Sequence, residues 1–259
     1  MAFKSVANPM FRTQFSEDIF NNKYRHEGAE TWANLCDTLS WRVCGKYMSL
    51  GDVSQLAQYM KELKFIPGGR YLYYAGRPNS FFNNCFLLSA ESDTREDWAN
   101  LSWKAESCLL TGGGIGADYS VYRAEGSPIN KTGGRASGPI PKMMMINEIG
   151  RRVMQGGSRR SAIYASLDWQ HADVHKFLHA KDWDTIPVGS TGYTLAEVKK
   201  QDFNFPAPLD MTNISLNYND AWLELGDMRA RDSTFLDNMR QALKRGEPGF
   251  SFNFGAKQR

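Results

Sequence analysis

The sequence predicts an α/β protein in which a helical N-terminal region precedes a parallel sheet. Between residues 17 and 63, apolar residues recur at helical spacing. After Phe65, short apolar runs alternate with glycine turns and helical stretches, which is typical of parallel strands joined by crossover helices. We therefore expect a helical region over residues 1–64 and an α/β region over residues 65–259.

Two helices are expected in the N-terminal region. Gly45 and the cluster at residues 49–52 interrupt the helical pattern, so a second helix is expected from Val53 to Leu63. Cys36 and Cys44 lie on one side of the first helix and are expected to be core thiols. The apolar face of that helix is expected to comprise Trp32, Leu35, Leu39, Val43 and Tyr47.

Several segments of the α/β region are strand candidates. The segment 246–255 resembles a strand or loop of the same fold. Tyr71, Tyr73 and Tyr74 are expected to be core aromatic residues on a strand rather than a radical relay. The clearest apolar runs are Phe86–Leu88, Ile163–Ala165 and Ile214–Leu216.

Composition excludes several classes of protein. The chain has 259 residues, of which 42% are hydrophobic and 23% charged, as in globular proteins. A net charge of +3 is too small to indicate nucleic-acid binding. No run of 18 apolar residues and no signal-peptide core is present, so a cytoplasmic location is expected. The 4 cysteines form no CxxC pair and are expected to be thiols.

The segment Met154–Ala162 combines paired glycines with adjacent arginines. Gly156 and Gly157 allow backbone amides to turn toward an anion or a flat ring, and Arg159 and Arg160 add planar charged donors for phosphate or base edges. The combination indicates recognition of a nucleotide.

Neither of two other glycine-rich segments completes a known nucleotide-binding motif. Gly112–Gly116 does not fit the GxGxxG spacing of dinucleotide-binding proteins. Gly133–Gly138 has P-loop glycine spacing, but Pro139 stands where the P-loop lysine is required, which excludes that motif.

His171, His175 and His179 recur every four residues, which is a metal-ligand spacing on a helix. The sequence lacks an HExxH motif and an adjacent cysteine cluster. A solvated basic helix face is therefore the favoured interpretation, and no metal site is expected.

Seven short motifs occur in one order along the chain and together carry a family resemblance. They resemble the N-terminal half of the ribonucleotide reductase catalytic (large) subunit. The motif sequences are most similar to those of monomeric, adenosylcobalamin-dependent (class II) members and compact phage-type enzymes. The resemblance implies the first half of a ten-stranded α/β barrel built from two five-stranded halves. The motifs are Pro67–Leu72, Asn83–Phe86, Gly112–Gly116, Gly126–Ile129, Met154–Ala162, Asn213–Ser215 and Glu247–Gly249.

The resemblance assigns roles to individual residues. From the sequence alone, Cys85 points either into a site or into packing; by resemblance it is one of two cysteines that reduce the ribose C2′ and become a disulfide. Its partner lies further along the family's sequence, so Cys36, Cys44 and Cys108 are not substitutes. Substrate-binding roles fall on Asn84, Gly114, Gln155, Gly156, Gly157 and Arg159, and effector-binding roles on Asp93, Arg123 and Ile129.

The family's chemistry also needs a thiyl-forming cysteine in an Asn-Pro-Cys-Gly-Glu-like loop, which this sequence does not contain. We therefore expect the N-terminal part of a split or truncated reductase, inactive alone and completed by a C-terminal half. Its other expected partners are a ribonucleotide substrate, a deoxynucleotide or ATP effector and an external dithiol. The radical source is expected to be adenosylcobalamin or a metal-containing partner. The alternative is a non-catalytic nucleotide-binding regulatory subunit.

Overall fold

The computed structural model describes residues 11–78, 81–130, 133–153 and 161–255. The chain divides into two compact units, Met1–Asn84 and Cys85–Arg259, and each is considered by itself. Within the described ranges, no helix is both long and apolar enough to cross a membrane.

The first unit is helical, as expected. Thr13, Thr31 and Ser49 begin three of its helices, because each side chain accepts a hydrogen bond from a backbone amide in the first turn. Its core contains Trp32, Leu35, Leu39, Met60 and Leu72 among other buried residues. The elements are α1 (Gln14–Ile19), a π-helical turn (Phe20–Tyr24), α2 (Trp32–Cys44), α3 (Leu50–Lys61) and α4 (Gly69–Tyr74).

Two expectations for this unit are wrong in detail. Tyr47 is 86% exposed, because α2 ends at Cys44 and the helical face does not extend that far. Tyr71, Tyr73 and Tyr74 lie on helix α4 rather than on a strand, and they are only partly buried. Cys36 is buried as expected, whereas Cys44 is partly exposed.

The second unit contains a five-stranded sheet with the order β1-β2-β3-β4-β5, in which all neighbouring strands are parallel. The three predicted apolar runs lie in the first, third and fourth strands, and the segment 246–255 contains the fifth. The strands are β1 (Cys85–Ser89), β2 (Gly114–Asp118), β3 (Ile163–Asp168), β4 (Thr212–Tyr218) and β5 (Gly249–Phe252).

Helices connect successive strands and cover one face of the sheet. That face is apolar: Leu88, Ile115, Ala165 and Leu216 are each buried in one core with residues of the connecting helices. This arrangement of parallel strands and crossover helices is the expected α/β fold. The helices are α5 (Arg95–Leu110), α6 (Pro139–Arg152), α7 (Val174–Leu178), α8 (Leu195–Gln201), α9 (Asp220–Leu223) and α10 (Ser233–Arg245), with short 3-10 turns at Trp183–Thr185 and Gly226–Arg231.

Candidate functional site

The second face of the sheet carries small and polar side chains. Successive strand residues point to opposite faces, so the residues that alternate with the buried apolar ones share this face. The Asn217 side-chain amide donates to the Ser166 hydroxyl at 3.0 Å, which joins the third and fourth strands across it. We call this surface the polar face; its residues are Cys85, Leu87, Ser89, Gly114, Gly116, Asp118, Tyr164, Ser166, Asp168, Asn213, Ser215, Asn217, Gly249 and Ser251.

The amino ends of the strands form one edge of the polar face, here called the amino edge. Cys85 begins β1 as an exposed free thiol and is paired in register with Gly114, which begins β2. A Cβ at Gly114 would lie 3.4 Å from the Cys85 sulfur and 3.2 Å from the Ala162 carbonyl oxygen. The absence of a side chain at Gly114 therefore leaves open the space beside the thiol.

The loop of residues 153–161, which contains the paired glycines and adjacent arginines, joins α6 to β3 at the same edge. The structure describes its last residue, Ser161, and the following Ala162, which lies against Gly114. The predicted substrate residues Gln155, Gly156, Gly157 and Arg159 lie outside the described residues. The described end of the loop thus enters β3 beside Gly114.

A buried ion network anchors the end of α6 from which this loop leaves. The side chain of Asp210 is 2% exposed and pairs with Lys199 at 2.9 Å and with the Arg151 guanidinium. Asn147 also donates to this carboxylate at 3.2 Å. Burial alone would raise the pKa of Asp210, but these hydrogen bonds outweigh it and lower the pKa to about 2. Asp210 is therefore held as a carboxylate.

Asn84, the remaining predicted substrate residue, is exposed and directly precedes Cys85. It is the last residue of the first unit, where a Cβ at Gly68 would lie 3.1 Å from its side-chain nitrogen. The Pro67–Leu72 motif and Asn84 are thus in contact within that unit.

The opposite, carboxyl edge of the sheet carries a hairpin between β2 and α6. The Gly126 amide donates to the Ala136 carbonyl at 2.8 Å, and the Ala136 amide donates to the Ser127 carbonyl at 2.8 Å. Pro128 and Arg135 form an antiparallel bridge. These bonds define a hairpin, which we call the effector hairpin after the role that the resemblance predicts for it; the structure describes its residues 123–130 and 133–138.

Two of the three predicted effector residues meet at the base of this hairpin. The Arg123 guanidinium forms an ion pair with Asp93, and it donates to the Pro128 carbonyl at 2.9 Å. The two side chains remain 38% and 30% exposed, respectively. Ile129 lies further along the hairpin, where its amide donates to the Gly134 carbonyl at 3.1 Å.

The three histidines do not share a helix face, which corrects the sequence-based interpretation. Helix α7 is only 5 residues long, so His171 precedes it and His179 follows it. His171 bonds the Tyr122 carbonyl, and His179 bonds Asp182 and Asp237. Among the described residues, no group of three or more His, Cys, Asp or Glu side chains is placed to hold a metal ion.

A cavity of about 520 Å³ also lies near the amino ends of β4 and β5, and Asn213 lines it. Its charged lining residues include pairs that already neutralise one another, such as Lys181 with Glu247 at 2.5 Å and Lys244 with Asp184 at 2.7 Å. These pairs join the segment after α7 to the end of α10 and to the connection that follows it, so the charges in this cavity serve structural contacts.

The sequence interpretation missed the polar face and the carboxylate of Asp168 at the carboxyl edge. Asp168 accepts hydrogen bonds from the Gln170 amide at 2.7 Å and from Asn219 at 3.1 Å. Burial raises the pKa of Asp168, and the nearby charge of Asp118 adds to the rise. The period-two alternation in Gly114-Ile115-Gly116 and in Asn213–Asn217 was the available signal.

Comparisons with known proteins agree with this architecture. Residues 83–206 match the family model of the ribonucleotide reductase barrel domain. The structure is similar to that of the alpha subunit of a class Id ribonucleotide reductase from Actinobacillus ureae. The alignment covers 95% of this chain, with a TM-score of 0.70 and 16% identity. At that identity the likeness shows the fold.

Curated relatives include two kinds of reductase. A vitamin B12-dependent ribonucleoside-diphosphate reductase of Mycobacterium tuberculosis is 33% identical over 127 residues, which are 49% of this chain and 18% of that protein. The ribonucleoside-diphosphate reductase large subunit of Arabidopsis thaliana is 31% identical over 133 residues, which are 51% of this chain and 16% of that protein. The match therefore spans less than a fifth of either relative.

The family model begins two residues before the exposed thiol of Cys85 and extends past β3 and α8. It thus includes the amino ends of β1, β2 and β3, the effector hairpin and the segment that joins them. Residues 83–206 match the barrel domain of ribonucleotide reductases, and this part of the chain is similar to the large subunits of that family.

Proposed function

We propose that this chain supplies one half of a site that reduces ribonucleotides to deoxyribonucleotides. The polar face would line the substrate side of the barrel, and the apolar face with its helices would support it. The observation that carries the proposal is the free, exposed thiol of Cys85 at the amino edge, beside the Cβ-free position of Gly114.

In the proposed reaction, Cys85 and a second cysteine supply the reducing equivalents. A thiyl radical on a third cysteine removes the ribose 3′ hydrogen and later returns it. The 2′ hydroxyl leaves as water after protonation, and the two thiols give up two electrons and two protons and become a disulfide. An external dithiol then reduces that disulfide by thiol–disulfide exchange.

Substrate recognition is assigned to the loop of residues 153–161 that enters β3, which we call the substrate loop. Gln155 and Arg159 would reach the base, and Gly156 and Gly157 would let the loop adjust. Asn84 and Gly114 would contact the substrate near the thiol. The anchoring of α6 through Asp210 supports this assignment, because it fixes one end of the loop.

Effector recognition is assigned to the hairpin at the carboxyl edge. Arg123 would bind the phosphate of a deoxynucleotide or ATP, Asp93 its sugar, and Ile129 would pack against it. The ion pair with Asp93 already orients the guanidinium, and further N–H groups of Arg123 are available to a phosphate.

The thiyl-forming cysteine loop would come from a second half-barrel, on a separate chain or on a longer form of this one. We assign no residue of this chain to a radical cofactor. Adenosylcobalamin, as in the vitamin B12-dependent relatives, or a metal-containing partner would supply the radical to that second half.

Reconstitution tests the proposal. The purified chain is mixed with a C-terminal reductase half that carries an Asn-Pro-Cys-Gly-Glu loop, either with adenosylcobalamin or with a metal-containing radical subunit. Deoxyribonucleotide formation is then measured in the presence of a dithiol. We expect product in one of the two mixtures and none from this chain alone.

The matched control is Cys108→Ser. Cys108 is a partly buried thiol on helix α5 and has no role in the proposed chemistry. This variant is expected to keep the activity of the mixture. Turnover by the purified single chain would contradict the need for a second half. Binding of nucleotides without turnover in either mixture would instead favour the regulatory-subunit alternative.

A further inference from the structure

The turn that follows β3 holds the base of the effector hairpin at two points. The Nε2 atom of His171 donates to the Tyr122 carbonyl at 2.8 Å. The Glu125 amide donates to the Asp173 carboxylate at 2.8 Å. These two contacts lie on either side of Arg123 in the sequence, so they fix the backbone from which its guanidinium projects.

Hydrogen bonds determine which form of His171 makes this contact. Its Nδ1 atom accepts from the Asp173 amide at 3.0 Å, and a carbonyl oxygen can only accept from Nε2. The tautomer that satisfies both hydrogen bonds carries its proton on Nε2. His171 and Asp173 act as a single unit, which we call the hairpin clamp.

Asp173 is 5% exposed and fills the space between the two arms of the hairpin. A Cβ at Gly138, where the second arm ends, would lie only 2.6 Å from the Asp173 carboxylate and 3.0 Å from the Glu125 nitrogen. Gly138 also has a φ of +77°, which disfavours a larger residue. Although Asp173 precedes α7, its side chain makes no capping bond there and is used for the hairpin instead.

We propose that His171 and Asp173 are positioning residues that preset Arg123 for deoxynucleotide binding. The inference rests on the effector role proposed above for this hairpin. The clamp also lies on a continuous path: β3 leads from the substrate loop to the clamp, and α6 leads from the hairpin back to the substrate loop. Two rigid elements thus join the effector hairpin to the amino edge.

Binding of dTTP, dATP and dGTP by the chain tests the proposal. Asp173→Ala removes the acceptor of the Glu125 amide and is expected to weaken the tightest of these by about tenfold, which is the loss of one charge-assisted hydrogen bond. Asp173→Asn keeps an oxygen acceptor and is expected to restore affinity to within about threefold of the wild type.

Lys176→Ala is the matched control, because Lys176 pairs with the same Glu125 through exposed side chains at 2.7 Å. It is expected to change affinity by less than about twofold. Equal binding by Asp173→Ala and the wild type would overturn the clamp, as would an Asn variant as weak as the Ala variant. A wild-type chain that binds none of the three nucleotides would refute the effector role itself.

Amide hydrogen exchange on the wild-type chain gives a second measurement that does not depend on a variant folding. The Glu125 amide is expected to exchange as slowly as that of Gly126, whose bond to Ala136 holds the hairpin together. Exchange of the Glu125 amide at the rate of an open loop would overturn the clamp whether or not nucleotide binds.

Discussion

The amino and carboxyl edges of the sheet differ in how their functional residues are held. At the amino edge, Cys85 is an exposed free thiol beside a glycine. At the carboxyl edge, Arg123 is paired with Asp93, and its backbone is held by His171 and Asp173. Under the proposed function, an open thiol suits an edge that would admit a substrate and a second half-barrel, whereas a fixed arginine suits recognition of a charged ligand.

Under the proposed function, the same arrangement would keep the substrate and the effector apart. Helix α6 has 14 residues, so its ends lie about 21 Å apart at 1.5 Å per residue. The effector hairpin ends where α6 begins, and the substrate loop begins where α6 ends. Helix α6 and strand β3 both run between the two edges, so either element can carry a change from one edge to the other.

The largest expected effect is at the amino edge. Cys85→Ser removes a thiol that must become part of a disulfide, and serine cannot replace it. We expect the reconstituted enzyme to lose at least about a thousandfold in turnover, equivalent to about 4 kcal/mol. The assay is deoxyribonucleotide formation. Retention of more than a tenth of the activity would show that Cys85 takes no part in the chemistry. It would also contradict the proposed difference between the two edges.

The buried carboxylate that anchors α6 should give the next largest effect. Asp210→Ala leaves Arg151 and Lys199 without their buried partner, and we expect a loss of about 3–5 kcal/mol in the free energy of unfolding. Chemical denaturation measures it. Exposed Asp37, which pairs with Lys61 in the first unit, is the control, and Asp37→Ala is expected to cost less than about 1 kcal/mol. Equal losses would contradict the anchor.

The pKa of Asp210 sets the pH range in which this anchor acts. Because its folded-state pKa is lowered to about 2, the carboxylate stabilises the fold above its unfolded pKa of about 3.9. That contribution is lost as the pH falls from about 4 toward about 2. Wild type and Asp210→Ala should therefore differ less in stability at the acid end of this range.

Substitution of one arginine at each edge sharpens the comparison. Arg159→Ala is expected to change which ribonucleotide is reduced, whereas Arg123→Ala is expected mainly to weaken effector binding. A lost charged hydrogen bond of about 1.5–3 kcal/mol corresponds to a change of about ten- to hundredfold. Competition among four ribonucleotides, with and without each effector, separates the two. Unchanged substrate ratios in Arg159→Ala would show that the substrate loop is misplaced.

His179 should give the smallest effect. Its hydrogen bond to Asp182, and then that to Asp237, raises the pKa of the imidazole. The charged form therefore stabilises the fold below the unfolded pKa of about 6.5, and the contribution is lost as pH rises through the higher folded value. Because the side chain is 44% exposed, His179→Ala should cost less than about 1 kcal/mol at pH 6. Thermal unfolding at pH 6 and pH 9 measures the difference.

Local sequence patterns predicted β1, β3 and β4, because each contains a short apolar run, but they did not predict β2, whose glycines were interpreted only as a turn. Residues 86–88, 163–165 and 214–216 all lie in the predicted sheet. The tyrosines near residue 72 were misassigned because three aromatic residues fit a short helix as well as a strand. In the structure, the two buried residues of that helix are Arg70 and Leu72, and Leu72 packs in the core of the first unit.

The site was only partly predictable, because its contacts join distant segments. The resemblance named Asp93 and Arg123, but their ion pair spans 30 residues and depends on the fold. His171 was considered with His175 as part of a periodic series, yet its partner is the carbonyl of Tyr122, 49 residues away. The polar face likewise becomes visible only when the register of all the strands is known.

The most direct test of the account is the redox state of Cys85 after one turnover. The reconstituted enzyme is given ribonucleotide without an external dithiol, free thiols are alkylated after denaturation, and peptides are identified by mass spectrometry. We predict that Cys85 forms a disulfide with a cysteine of the second half-barrel, while Cys36, Cys44 and Cys108 remain alkylated thiols. Formation of deoxyribonucleotide with Cys85 still a free thiol would contradict the account.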